Sequence, residues 1–428
     1  QDLVPKAGPQ DRPVVLTGAM VHPVTGPSFE DGAVVIDGGV ITFSGPASEA
    51  PSIGGARVID LSGKHLYPGL IAADTQTGLT EVSSFLSTED TRETGRFTPE
   101  VVVVNAVNPD STHIPVTRSN GVLITGILPE GGRVAGTGGV LRLDGWTNDD
   151  LTVESHAGLV MTWPFTRAVV AWWNNTPERE QLARIREQLQ EIDDLFSEVE
   201  AYALNREQDG SAPIDLRLES MRRVFPAGTT TNPSERQMPL WIRAADLDQI
   251  TSAVNWAVSR DLKPIIWGGR DAPLAADLLK AHGVPVVVGT VHGFPKRDDS
   301  PYDDAFTVPA RLAAAGVSFC ITGTERDGNQ RNTPFEAALA AAYGLDPEHA
   351  LRSITIDAAR VLGIADRYGS IEVGKSGTVI VTDGNPLEIM TSVEMAFIEG
   401  REVDLSDKQK SLRDKYEEKY RQLGDLED

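Results

Sequence analysis

The stretch Gly63-Lys64-His65-Leu66-Tyr67-Pro68-Gly69-Leu70-Ile71-Ala72-Ala73-Asp74-Thr75-Gln76-Thr77 decides the reading of this chain. Its apolar portion, Leu66 to Ala72, reads as a β-strand. Two polar side chains, Asp74 and Gln76, follow at a spacing of two. Strand-like and helix-like segments then alternate. The strand candidates are Val122 to Leu128, Leu159 to Thr162, Met238 to Arg243, Pro264 to Trp267, Val284 to Val288 and Val317 to Ile321. The helix candidates are Ala244 to Arg260, Ala272 to His282, Val308 to Ala315 and Pro334 to Ala342. Such alternation indicates βα units around a parallel sheet. The fold class is therefore α/β, a (β/α)8 TIM-like barrel, with residues that follow the strands lining its mouth.

Both chain ends are β-rich instead. Val14 to Ile59 reads as short strands, with a hairpin signal at Asp37-Gly38-Gly39 between β-branched runs. Gly369 to Leu387 and Val393 to Val403 read the same way. Thr176 to Gln208 is a helical insertion. Thr176 is its N-cap and Pro177 its first helical residue, and Leu182, Ile185, Leu189, Ile192 and Leu195 recur at helical spacing. Packing on the outer wall and an oligomer contact are both open for it. Asp407 to Asp428 is a charged tail with a weak helical period through Leu412, Tyr416 and Tyr420. The Gly-rich run Glu130 to Gly139 lacks the Lys-Ser/Thr of a phosphate cradle and reads as a flexible loop on the barrel face.

The net charge of -23 over 428 residues argues against nucleic acid and anionic membrane surfaces as partners. No apolar run is long enough to span a bilayer. The single cysteine, Cys320, sits in an apolar run and excludes an internal disulfide or a Cys-based zinc site. The polar, Pro-rich start at Gln1 resembles that of a mature exported domain, so an exported (periplasmic or extracellular) location is the expectation, with the cytoplasm as alternative.

The opening stretch resembles the first barrel strand of the metal-dependent amidohydrolase superfamily. In that family a G-K-x-x-x-P-G-L-I-D-x-H-x-H run carries two metal-binding histidines. Gly369-Ser370-Ile371-Glu372-Val373-Gly374-Lys375 resembles the point where the family's chain re-enters a small β-sandwich built from both ends. Asn108-Pro109-Asp110-Ser111, Ile114 to Val122 and Leu141 to Trp146 are similar to imidazolonepropionase-related exported members. The resemblance runs from about Val14 to Leu405. It implies that 1–65 begin the β-sandwich and that 369–403 complete it. Between them, 66–368 form the barrel with the insertion near 176–208, and 404–428 are the tail.

The same resemblance implies metal-assisted hydrolysis, with ligands at the ends of particular strands. Here Asp74 and Gln76 stand at the first-strand histidine positions. The fifth-strand position falls on Gly269, and no Lys lies in the fourth strand. On the sixth strand His292 lies past the strand core, and on the eighth Glu325 or Thr324 takes the place of the Asp. The seven histidines form no His-x-His pair. The expectation is a degenerate branch with no metal ligand set and no cofactor. A weak divalent-metal site built from Asp74, Glu325 and Asp327 is the residual alternative.

Asp74, His292 and Glu325 are the catalytic candidates. Gln76, Arg118, Asn120, Arg133, Arg270, Arg331 and Asn332 are the substrate-binding candidates, with Arg297 also on the rim. Arginines there could hold a carboxylate bidentately. The leading reading is a non-catalytic or weakly catalytic homologue that binds a small-molecule ligand, as a homo-oligomer or paired with an intact amidohydrolase homologue. The alternatives are an active hydrolase of C–N bonds with a reduced site, and a purely structural role.

Overall fold

The computed structural model describes residues 3–169, 174–226, 236–289, 291–323 and 327–425. The chain enters through β1 (Val14–Val21), β2 (Phe29–Asp37), β3 (Val40–Pro46), β4 (Arg57–Asp60) and β5 (His65–Pro68). It then builds β6 (Leu70–Thr75), β7 (Val122–Ile127), β8 (Val134–Arg142), β9 (Thr152–Thr162), β10 (Leu240–Ala244), β11 (Pro264–Gly268), β12 (Val286–Val288) and β13 (Phe319–Ile321). It leaves through β14 (Val379–Thr382), β15 (Val393–Ile398) and β16 (Arg401–Glu402).

Strands from the two ends form one sheet in the order β16-β15-β14-β5-β1-β2-β3, with β4 beside β1. The join is the β5–β14 ladder, where Leu66 faces Val381 and Tyr67 faces Ile380. The opening stretch is thus two strands. Pro68 and Gly69 separate β5, which belongs to the terminal sheet, from β6, which begins the barrel. Gly69 is required at the join: a Cβ there would lie 2.8 Å from Leu123 Cδ1 and 3.0 Å from Thr378 Cγ2.

The second sheet is the barrel, β6 through β13 in sequence order. Its strands pair in parallel except β8, which is antiparallel to β7 and β9. The Gly-rich run expected as a loop is therefore half strand. Gly138 and Gly139 stand where a Cβ would lie 2.6 Å from Leu128 Cδ2 and 2.3 Å from Val104 Cγ1. Their role is close backbone approach within a wall, not freedom in a loop.

Strand alternation sorts the core in two. Ile71, Ile124, Val160, Trp241, Trp267, Val287 and Cys320 pack together inside the barrel. Leu70, Ala72, Leu240, Ile242, Ile266, Val286 and Ile321 pack outward against the helices. The short helix Ile356–Leu362 adds Ala358, Ala359 and Leu362 to the inner cluster and plugs one end. The end strands β6 and β13 share no ladder. Their seam is bridged by the Ile71 amide on the Ile354 carbonyl (2.8 Å) and by Thr322 on the Asp74 backbone.

The insertion is one helix, Glu178–Gln208, with Pro177 rather than Thr176 at its N-cap position. Its second half buries Ile192, Phe196, Val199 and Ala203. Phe196 meets Trp256 edge-on at 4.8 Å, and Arg260 pairs with Asp193 (2.7 Å) and Glu200 (2.8 Å). Packing on the outer wall thus accounts for this half. The first half overhangs the barrel mouth. The tail forms the helix Lys408–Leu423, with no buried residue.

Arg118 does not line the mouth. It precedes β7, so it sits at the opposite end of the strand from the rim, and it is fully buried. Its Nη1 donates to the Leu143 carbonyl (2.9 Å) and to Asp144 Oδ1 (3.0 Å). Asp144 Oδ2 accepts from Arg401 Nη1 (3.0 Å) and from the Ala7 amide (3.2 Å). One buried carboxylate therefore ties the barrel to both chain ends. Asp144→Ala should cost about 3–5 kcal/mol of unfolding free energy, because it strands a buried guanidinium. Urea denaturation followed by circular dichroism reads this directly.

Candidate functional site

Asp74 ends β6 at a break in register, where Ala72 pairs with Thr125 but Thr75 with Ile127. Its backbone is clasped by Thr322. The Asp74 amide donates to Thr322 Oγ1 (3.1 Å), and that hydroxyl donates to the Asp74 carbonyl (2.9 Å). The Asp74 carboxylate accepts the indole N–H of Trp267 at 2.7 Å. Both side chains are buried. The Arg243 guanidinium lies over the Trp267 ring, 4.7 Å from its centroid, and 4.0 Å from Glu130. Gln76 Oε1 accepts from the Thr80 hydroxyl at 3.3 Å.

These groups fill the centre of the mouth. The space bounded by Asp74, Thr75, Gln76, Glu130 and Gln330 measures about 10 Å³. That is room for about one water molecule. Cys320 packs inside the barrel below, and burial pushes its thiol pKa up, helped by the Asp357 and Asp74 charges. It is held as a neutral thiol, without nucleophilic character.

In barrel order the strand Pro264–Gly268, expected as the fifth, is the sixth, and the residue that points inward at its end is Trp267, not Gly269. Trp267 points inward from the end of β11, whereas a Cβ on Gly269 would lie 2.5 Å from Val286 Cγ1, in the barrel wall. Gly269 has φ +49°, which favours glycine and explains the residue without a ligand role.

His292 follows β12, and its Nδ1 lies 3.0 Å from Glu336 Oε1. Glu336 is buried and accepts the amides of Val291 (2.9 Å) and His292 (3.1 Å) through Oε2. The carboxylate favours the tautomer with hydrogen on Nδ1 and leaves Nε2 as an acceptor. Glu336 is not among the sequence candidates. A signal for it exists: it is the only charged residue in the helix Thr333–Ala342.

The remaining candidates disperse. Asn120, like Arg118, precedes β7, and its amide donates to the Arg331 carbonyl. Asn332 precedes the helix Thr333–Ala342 and makes no side-chain cap bond to it. Arg270 donates to the Phe294 carbonyl, and Arg297 pairs with buried Asp271 at 2.6 Å. Glu325 and Thr324 lie outside the described residues. Arg133 does reach the mouth. With Arg243, Thr162, Trp163 and Phe165 it lines a cavity of about 560 Å³, roofed by the first half of the helix Glu178–Gln208.

The model of the amidohydrolase family matches residues 241–404. The amidohydrolase structure from Thermotoga maritima MSB8 superposes with a TM-score of 0.78 at 26% identity, over 91% of this chain and 99% of that one. The fold is that of the amidohydrolase superfamily. It is 23% identical to the imidazolonepropionase of Caulobacter sp. (strain K31), over 83% of this chain and 88% of that protein. It is also 23% identical to amidohydrolase tasK of Hapsidospora irregularis over 91% of this chain, and it spans only 43% of the length of tasK.

The amidohydrolase fold implies metal ions at this mouth, and the described residues do not fit them. Among those residues no group of three or more His, Cys, Asp or Glu side chains could hold a metal. The Asp74 carboxylate faces an indole donor, and a guanidinium occupies the space above. Trp267→Phe should lower stability by about 1–3 kcal/mol, since a buried carboxylate loses a donor. In an Asp74→Asn background the same change should cost less. A double-mutant cycle in urea measures the coupling.

Proposed function

We propose that this chain is an amidohydrolase-fold protein that binds a small ligand at the barrel mouth and has little or no metal-dependent turnover. Its ligand-bound state works alone, as a homo-oligomer, or beside an intact homologue. The contact from Trp267 to Asp74, with Arg243 stacked over the indole, carries this reading. An indole cannot ligate a metal, and an arginine there repels a cation. Hydrolysis through a metal-bound water requires both an ion and room for a carbonyl group beside it. Room for about one water does not admit them. The 560 Å³ cavity next to it does have the size of a small-molecule site.

A second reading has an observation of its own. His292 and Glu336 form an imidazole–carboxylate pair, and His292 is half-exposed. Such a pair can serve as a general base without a metal. Under this reading the protein would cleave C–N bonds in cyclic amides, amidines or small peptides with His292 drawing a proton from water.

Turnover of imidazolone-type cyclic amides and of dipeptides separates the two. Under the first reading, activity stays at background with zinc or manganese added, and neither Asp74→Ala nor His292→Ala changes it. Turnover that needs added metal and vanishes in Asp74→Ala sinks the first reading. Metal-independent turnover lost in His292→Ala establishes the second.

A further inference from the structure

We infer that the cavity beside Arg133 and Arg243 binds the oxyanion of a small molecule that carries an apolar or aromatic body. This deepens the reading of the mouth as a ligand site and rests on it. Four guanidiniums line the cavity, from Arg133, Arg167, Arg184 and Arg243, and among the described residues no carboxylate does. The chain as a whole has 62 acidic residues against 39 Lys and Arg. A pocket whose charged lining residues, among those described, are all cations runs against that average.

The state of those cations supports the assignment. Arg133 is half-buried, and Glu191, the carboxylate that acts on it, pairs with Arg96 at 2.8 Å. Burial lowers its pKa; Glu191 opposes that shift and Arg96 reinforces it. A partly desolvated cation whose counter-charge is paired elsewhere gains from an anion. Arg167 and Arg184 meet their carboxylates at long range, Asp248 at 3.7 Å and Glu180 at 4.0 Å. By contrast Arg260 on the outer wall holds Asp193 at 2.7 Å. Guanidinium forks match carboxylate, phosphate and sulfonate oxygens two at a time. Trp163 and Phe165 supply the apolar wall. The buried indole N–H of Trp163 has no protein partner among the described residues. Arg243 faces both the cavity and Trp267, so an anion there would also reach the group that covers Asp74.

The test uses anilinonaphthalene sulfonate, an aromatic sulfonate, titrated into the whole protein by fluorescence in the presence of EDTA. The expected result is saturable binding of one dye per chain that weakens with salt. It should fall at least tenfold in Arg133→Met and severalfold in Arg167→Met, an exposed position chosen to leave folding intact. The sulfonate-free dye N-phenylnaphthylamine should not displace it. Competition by benzoate and by phenyl phosphate tells which head group is preferred. Absence of binding, affinity unchanged in both folded variants, or equal binding of the neutral dye overturns the proposal. Binding that appears only with zinc and is lost to EDTA overturns instead the reading of the mouth as metal-free.

Discussion

The hydrogen bond from the Trp267 indole to the Asp74 carboxylate organises the centre of this barrel. A carboxylate at the end of β6 must be satisfied, because burial without a donor is costly. In a metal site a cation would do this. Here an indole from β11 reaches across the barrel interior at 2.7 Å, and Thr322 pins the Asp74 backbone from the end of β13. Asp74 is thereby tied across the interior to β11 and across the unpaired seam to the residue that follows β13. The same indole offers its face to Arg243, which brings positive charge to the place where the superfamily collects metal ions. One aromatic residue at a strand end thus contacts both the buried carboxylate and a guanidinium.

The displaced opening lies to the side, between β9, β10 and the overhang of the helix Glu178–Gln208. That helix anchors by its second half, through Phe196 on Trp256 and the Arg260 pairs. Its first half stands clear of the core and contributes Arg184 and Ile185 to the cavity roof. Arg243 is shared between the filled centre and the open side. A ligand can therefore be bound by this barrel without any approach to Asp74.

The fold is legible in the sequence because its signals are local. Gly63 to Thr77 marks a strand entering a barrel, and Gly369 to Lys375 marks the return to the terminal sheet. The helix from 178 follows from its Thr-Pro start and its apolar spacing. β8 is not legible, because glycines that permit close packing in a wall look the same in sequence as glycines that permit a loop. The site is less legible than the fold, for a geometric reason. Inward direction alternates along a strand only as far as the strand runs, so Trp267 points inward from β11 whereas Gly269, one residue past its end and at φ +49°, does not. Arg118 and Asn120 look like rim residues, but they precede their strand, and the rim takes residues that follow one. Glu336 comes from a helix far along the chain, and only packing brings it to His292.

The metal content of the purified protein is the most direct measure of this account. After equilibration with trace zinc, manganese and calcium followed by dialysis, inductively coupled plasma mass spectrometry should find far less than one metal ion per chain. Close to one or two ions per chain in the natural protein would mean that a ligand set exists at the mouth and that the Trp267–Asp74 contact does not keep metal out.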